Sequence, residues 1–215
     1  MLCILQTLSA QADGASSIWE AAFPIAAAPA HVYFRALYID GLGQSHILKV
    51  WRDADRRLRR KTDDAIDLYV TMKASGEPDY HIVDHKRGAV IHADRLTLYR
   101  MGRFSGWLGL AHVLDAPRGA YTVTSLPKAP ASKSTGQCAW FRLEVAEPVR
   151  TLNAVCWSAR WGLPLEINST DANGDSATAR FSVERVNEFQ PTDAIFDIGE
   201  EPLNIDARTD GDVSD

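Results

Sequence analysis

Three sets of residues in this chain have the types and spacing for chemistry: two late cysteines, a group of histidines among carboxylates, and an arginine-rich run. Cys138 and Cys156 lie nine residues either side of Glu147, in two alternating stretches that read as one antiparallel hairpin. A turn centred on Glu147 sets Cys138 opposite Cys156, Trp140 opposite Ala154, Arg142 opposite Leu152 and Glu144 opposite Arg150, so that one rung pairs opposite charges. Directly opposed residues meet the Cα separation of under about 7 Å that a bridge needs. Two readings stay open, a disulfide or two buried thiols. The disulfide implies an oxidising compartment.

His81 and His85 share a strand face, with Asp84, His92 and Asp94 nearby. No cysteine or carboxylate stands at a recognised ligand spacing, so hairpin-edge histidines are expected rather than a metal site. Arg52-Asp53-Ala54-Asp55-Arg56-Arg57-Leu58-Arg59-Arg60-Lys61 could meet an anionic partner such as a lipid headgroup. Its interleaved aspartates cancel much of that field, and a solvated strand surface is the favoured reading. There is no G-x-S-x-G, no phosphate-binding glycine loop and no Cys/His nucleophile setting, and we expect no catalytic residue, no cofactor and no enzyme. Asn168-Ser169-Thr170 matches a glycosylation sequon, a triplet that also arises by chance.

The elements that would position these groups are mostly strands. Val32 to Ile39 and Ser45 to Arg52 flank an Asp40-Gly41-Leu42-Gly43 turn. In Ala65 to Lys73, Ile66, Leu68, Val70 and Met72 form an apolar face, while Asp67, Tyr69, Thr71 and Lys73 form a wet one. Further strands are expected at Tyr80 to Val83, Ala89 to His92, Leu96 to Arg100, Tyr121 to Leu126, Leu163 to Ser169 and Ala177 to Val186, with a short segment at Asp193 to Ile198. Ser17-Ile18-Trp19-Glu20 has capping-box form, so a short helix starts there and stops before Pro24. Ser105 to Leu114 carries a wide apolar stripe and predicts a second helix, lying over the sheet. Trp51, Trp107, Trp140, Trp157 and Trp161 could line a cavity or fill a core.

Three places carry a resemblance to the periplasmic lipoprotein-carrier superfamily typified by LolA and LolB. They are the strand pair Gln44 to Arg52 and Arg56 to Lys61, the hairpin Val83-Asp84-His85-Lys86-Arg87-Gly88-Ala89-Val90-Ile91, and the closing stretch from Leu163-Pro164-Leu165-Glu166-Ile167 through Asp171-Ala172-Asn173-Gly174 to Phe181, Val183, Asn187, Phe189 and Ala194-Ile195-Phe196. The chain resembles a separate branch of that superfamily rather than LolA itself. The resemblance implies a mainly β (α+β) fold: a single open, curved antiparallel sheet, or half-barrel, with a helical lid. It also implies that Arg52 latches the lid, although Asp53 follows it where the family usually has Pro.

On this reading Ile66, Leu68, Val70, Met72, Phe141, Leu143, Phe181 and Val183 line an apolar concave cavity under Trp107, Leu108 and Leu110 of the lid. The expected ligands are lipid or the acyl chains of a lipoprotein. The alternative is an envelope sensor or protein-interaction module with a filled interior. Residues 1–12 end in Ala10-Gln11-Ala12 and read as the remnant of a signal peptide, which implies a periplasmic location. Residues 13–199 form the domain, and residues 200–215 read as an acidic, solvated tail. A net charge of −5 argues against nucleic acid. The expected protein is a monomer that meets, at most, an inner- or outer-membrane partner.

Overall fold

The computed structural model describes residues 18–100, 106–127, 138–146, 151–170, 177–199 and 203–207. The signal-peptide remnant, Ser17, Ser105, Glu147 and the turn at residues 171–175 lie outside them. Twelve strands hold the order β12-β6-β5-β4-β3-β2-β1-β11-β10-β9-β8-β7, leaving β12 and β7 as the two edges of an open sheet. They are β1 (His31–Ile39), β2 (Ser45–Asp53), β3 (Arg57–Thr62), β4 (Ile66–Met72), β5 (Pro78–Asp84), β6 (Ala89–Ala93), β7 (Tyr121–Leu126), β8 (Ala139–Val145), β9 (Thr151–Ser158), β10 (Leu163–Thr170), β11 (Ala177–Glu188) and β12 (Leu203–Asp206). The helices are short: α1 (residues 18–22), α2 (Arg95–Arg100), α3 (Trp107–His112) and α4 (Asp193–Phe196). Most strands follow the alternation in the sequence. The sheet is mixed, however, because β12 runs parallel to β6.

The chain divides into two compact units, the first of Met1–Ala28, Leu37–Ser45 and His112–Val183, the second of Pro29–Ala36, His46–Ala111 and Glu184–Asp215. In the first, α1 places Trp19, Ala22 and Phe23, spaced i, i+3 and i+4, against Tyr121, Val123, Leu143, Val155 and Trp157. The rings meet tilted or edge-on, with Trp19 5.7 Å from Tyr121 and Phe23 5.3 Å from both Phe141 and Trp157. Trp157 Nε1 donates to Pro24 O at 3.1 Å, which ties the end of α1 to β9. Behind β8 and β9, Trp140, Ala154 and Cys156 pack with Leu126, Cys138 and Leu165. The tight turn before β10 needs Gly162, whose φ is +62° and where a Cβ would lie 2.8 Å from that of Ala28.

In the second unit β1 alternates buried Val32, Phe34 and Ala36 with half-buried neighbours, and Leu48, Val50, Leu58, Val70 and Tyr80 are closed to solvent. Each such side chain contributes about 1.5–3 kcal/mol on burial. The wet face expected of β4 holds at Thr71 and Lys73, which are exposed, but is covered at Asp67 and Tyr69, where Tyr69 packs with Val83, Val90 and Ile198 from beyond α4. Asp67 tolerates this because Arg59 donates to it at 2.7 Å and His85 lies 3.1 Å away.

Other expectations give way too. Residues 95–100 form a helix, not a strand, because Asp94 Oδ1 accepts the Thr97 N–H at 2.7 Å as an N-cap. The cysteine hairpin is shifted by two residues, with Trp140 opposite Cys156, Arg142 opposite Ala154 and Glu144 opposite Leu152. Cys138 and Cys156 are still bridged, diagonally, with Cα atoms 5.3 Å apart. The stretch read as a solvated tail contains β12. Its four residues are exposed yet paired along β6 from Ala89 to His92.

Candidate functional site

The first unit carries an open cleft of about 500 Å3 between α1 and the β8–β9 strands. Ala21, Ala22 and Pro24 form one wall, Ala139, Phe141 and Trp157 the floor, and Cys138, Ala159 and Arg160 the rim. The size falls within the usual range for a small-ligand site, about 300–1,000 Å3. Small residues on α1 leave the room and the two rings supply the apolar surface. The disulfide anchors the rim at Cys138, just before β8 begins. Arg160 is the charged residue on the rim, and its guanidinium lies 4.8 Å above the Trp161 ring. Nothing in this lining is a nucleophile or general base, so the cleft can hold an apolar group without reacting with it.

Of the expected cavity residues, Phe141 lines the cleft, while Leu143 is buried in the core with Trp157. Phe181 is buried and Val183 half-buried on β11 of the same unit. Ile66, Leu68, Val70, Met72, Trp107, Leu108 and Leu110 belong to the second unit. There Val70 and Leu110 are buried, and Leu108 is turned outward at 44% exposure, off the stripe the sequence assigned to it. Trp140, Trp157 and Trp161 are buried, so these tryptophans fill core, and Trp157 does so while also forming the cleft floor. Sequence reasoning missed Ala21, Ala22, Pro24 and Arg160. The signal for the first two was a pair of small residues at the end of a short helix, just before Pro24.

Arg52 sits where the resemblance places a lid latch. It is 3% exposed, and it donates through Nη2 to Pro29 O at 3.0 Å and through Nη1 to Ala111 O at 3.4 Å. Arg60 Nη1 reaches the neighbouring Leu110 O at 3.4 Å. Two cations thus meet carbonyls in the last turn of α3 that lack helical partners. Burial draws the Arg52 guanidinium down to about 10, partly opposed by the charge of Asp55, and it stays protonated at neutral pH.

Asp55 and Arg56 are exposed, as a solvated surface would have them, while Arg57, Arg59, Arg60 and Lys61 are half-buried. Asp53, fully buried, accepts from Arg57 Nε at 2.7 Å and Arg56 Nη2 at 2.9 Å, and His31 Nδ1 lies 3.0 Å away. Burial alone would raise its carboxyl, but the hydrogen bonds from Arg57 and Arg56, with their charges, hold it below the ordinary range. Arg57 reaches on to Asp193 at 2.8 Å and lies 4.4 Å over Phe196. Arg59 lies between the Trp51 and Tyr69 rings and donates to Ile195 O at 3.0 Å. These arginines fasten the α4 segment to β3.

His81 and His92 face each other across β5 and β6, their Nδ1 atoms 2.7 Å apart and their rings perpendicular. His81 Nε2 lies 3.3 Å from Asp79, and His92 Nε2 lies 3.2 Å from Asn204 Oδ1 on β12. His85 turns away to Asp67. Among the described residues no three His, Cys, Asp or Glu side chains gather in a metal-holding arrangement. The sequon asparagine, Asn168, is buried and donates to Glu166 at 2.8 Å, so its amide is closed to modification in the fold.

No protein-family model and no curated protein matches this chain. Among solved structures it is similar to an uncharacterised conserved protein from Thermus thermophilus, at a TM-score of 0.54 and 9% identity over 90% of this chain and 99% of that one. It also aligns with MucB, at a TM-score of 0.49 and 16% identity, covering 88% of this chain and 64% of the MucB chain. The first of these likenesses shows a shared fold.

Proposed function

We propose that this chain is an exported, non-enzymatic binding protein on a LolA-like scaffold, which shelters lipid or lipoprotein acyl chains. The observation that carries the reading is the cleft beside α1: about 500 Å3, apolar, floored by Phe141 and Trp157 and free of reactive groups. An acyl chain there gains about 0.8 kcal/mol for each methylene taken out of water, so a handful of methylenes gives measurable affinity. The Cys138–Cys156 bridge supports an oxidising compartment, of which the periplasm is the one the resemblance implies. Arg52 and Arg60, on the carbonyls of α3, supply the hold that a helical lid would need. No cofactor enters this account, and binding and release need only two states that differ modestly in free energy.

The test is a titration of the purified chain with a fluorescent fatty-acyl probe. Saturable binding is expected, weakened at least about tenfold by Ala21→Trp, which fills the cleft from an exposed position on α1. Failure of the probe to saturate at any accessible concentration would overturn the reading.

A second reading, an envelope sensor or protein-interaction module, is favoured by a different observation. Trp19, Phe23 and Trp157 pack ring to ring between α1 and the sheet, which makes that side of α1 core and leaves only the open cleft beside it. Such a protein would bind no acyl probe and would retain an unchanged partner after Ala21→Trp.

A further inference from the structure

We propose that the cleft beside α1 is a site for an amphiphile with an anionic head, a carboxylate or a phosphate, and that Arg160 is the residue that receives the head. The proposal rests on the reading of the cleft as an acyl site and narrows it. An acyl chain joined to a lipoprotein by ester or amide brings no charge of its own, whereas a fatty acid or a phosphate-bearing lipid carries one at its head. The lining divides in a way that fits such a ligand. Ala21, Ala22, Pro24, Ala139 and Phe141 offer carbon surface, and Trp157 adds its ring while its Nε1 hydrogen is already given to Pro24 O at 3.1 Å. Arg160 is the single charged residue of the lining, and no carboxylate lines the cleft with it.

Arg160 is placed by the turn that joins β9 to β10. Trp161 N and Gly162 N both donate to Ser158 O, at 3.2 and 2.8 Å, and His112 Nδ1 donates to Gly162 O at 2.6 Å. Hydrogen bonds thus fix the backbone on the C-terminal side of Arg160, and the β9 ladder fixes it on the other. Trp161 is buried, and the Arg160 guanidinium lies 4.8 Å from the centre of its ring. A guanidinium held against an indole gives up rotamer freedom but none of its N–H donors. The fork that matches carboxylate or phosphate oxygens in pairs stays available. Among the described residues Arg160 has no ion-pair partner that would compete for it.

Chain and head make different contributions. Burial of the chain supplies affinity and is indifferent to the head, while Arg160 supplies the preference among heads. Arg160 is exposed, so its pairing with a head is weakened by water and by salt. Bidentate geometry and the restraint from Trp161 set the expected preference at about fivefold, the upper end for an exposed pair. Glu20 precedes Ala21 on α1, but it is exposed and outside the lining.

Calorimetric titration of the full chain with decanoate, decyl phosphate and decanol, ligands of one chain length, tests this at pH ~7.5, where a carboxylate is ionised. Decanoate, decyl phosphate or both are expected to bind about fivefold more tightly than decanol, a margin that shrinks as salt rises toward ~1 M. In Arg160→Gln the margin disappears, and in Arg160→Lys, which keeps the charge without the fork, part of it returns. The margin is a ratio taken within one protein, so a general weakening in a variant cancels out of it. A margin for decanoate supports a fatty-acid head, and a margin for decyl phosphate alone supports a phosphate-bearing lipid. Equal binding of all three ligands, or a margin that survives Arg160→Gln, overturns this proposal and leaves the acyl reading of the cleft in place. Binding of none of the three overturns both.

Discussion

Single side chains in this protein do structural work that looks, in sequence, like a binding patch. Arg52 is the clearest case, since its guanidinium serves carbonyls at Pro29 and Ala111 that have little other recourse. Arg52→Ala is expected to leave them unsatisfied and to cost about 1–3 kcal/mol in denaturant unfolding, whereas Arg56→Ala, on a largely exposed side chain, costs under about 1 kcal/mol. Asp53 makes a pH prediction. Its folded carboxyl titrates below the ordinary value of 3.8 because Arg57 and Arg56 outweigh the effect of burial. A depressed folded value stabilises at pH above 3.8 and is lost as pH falls from there through the folded value. Acid unfolding should therefore steepen below that point. Asp53→Asn should flatten this limb and lower stability at neutral pH by about 3 kcal/mol, since it leaves Arg57 half-paired in a buried setting.

At the scale of elements, the cysteine hairpin carries the sharpest prediction. The bridge closes a sequence separation of 18 residues, so its reduction should cost roughly 3 kcal/mol, and less where the hairpin persists without it. Chemical denaturation with and without reductant measures this, and an unchanged midpoint would mean that the bridge adds nothing the β8–β9 ladder does not already supply. Period-two alternation made β1, β2, β4, β7 and β11 legible in the sequence. The hairpin register was not legible, because charge symmetry about Glu147 fixes a centre only if the turn is symmetric, and the ladder sits two residues away. The burial of Tyr69 was hidden for another reason: Ile198 packs against it, and local pattern carries no information about so distant a partner. Residues 96–100 misled by composition, Leu-Thr-Leu-Tyr, while the deciding signal was the single cap at Asp94. β12 was invisible because four exposed residues among acids carry no period.

For the molecule as a whole, two units share one strand order; the candidate cleft lies in the first, and Arg52 and Arg57 fasten elements of the second. The candidate cleft was half legible. Phe141 was expected in the lining and Trp157 was left between cavity and core, while the alanine wall depends on how α1 docks. Cleft and core share Trp157, so ligand entry and stability are coupled. A bound acyl chain should raise the unfolding midpoint in proportion to the logarithm of its concentration, and a calorimetric scan across a lipid series checks this.

The most direct measurement of the central claim is native mass spectrometry of the chain purified from a bacterial periplasm, followed by solvent extraction. The account predicts a stoichiometric acyl lipid that Ala21→Trp displaces. A protein that arrives with no lipid, and takes none up on incubation while its disulfide and fold are intact, would contradict it.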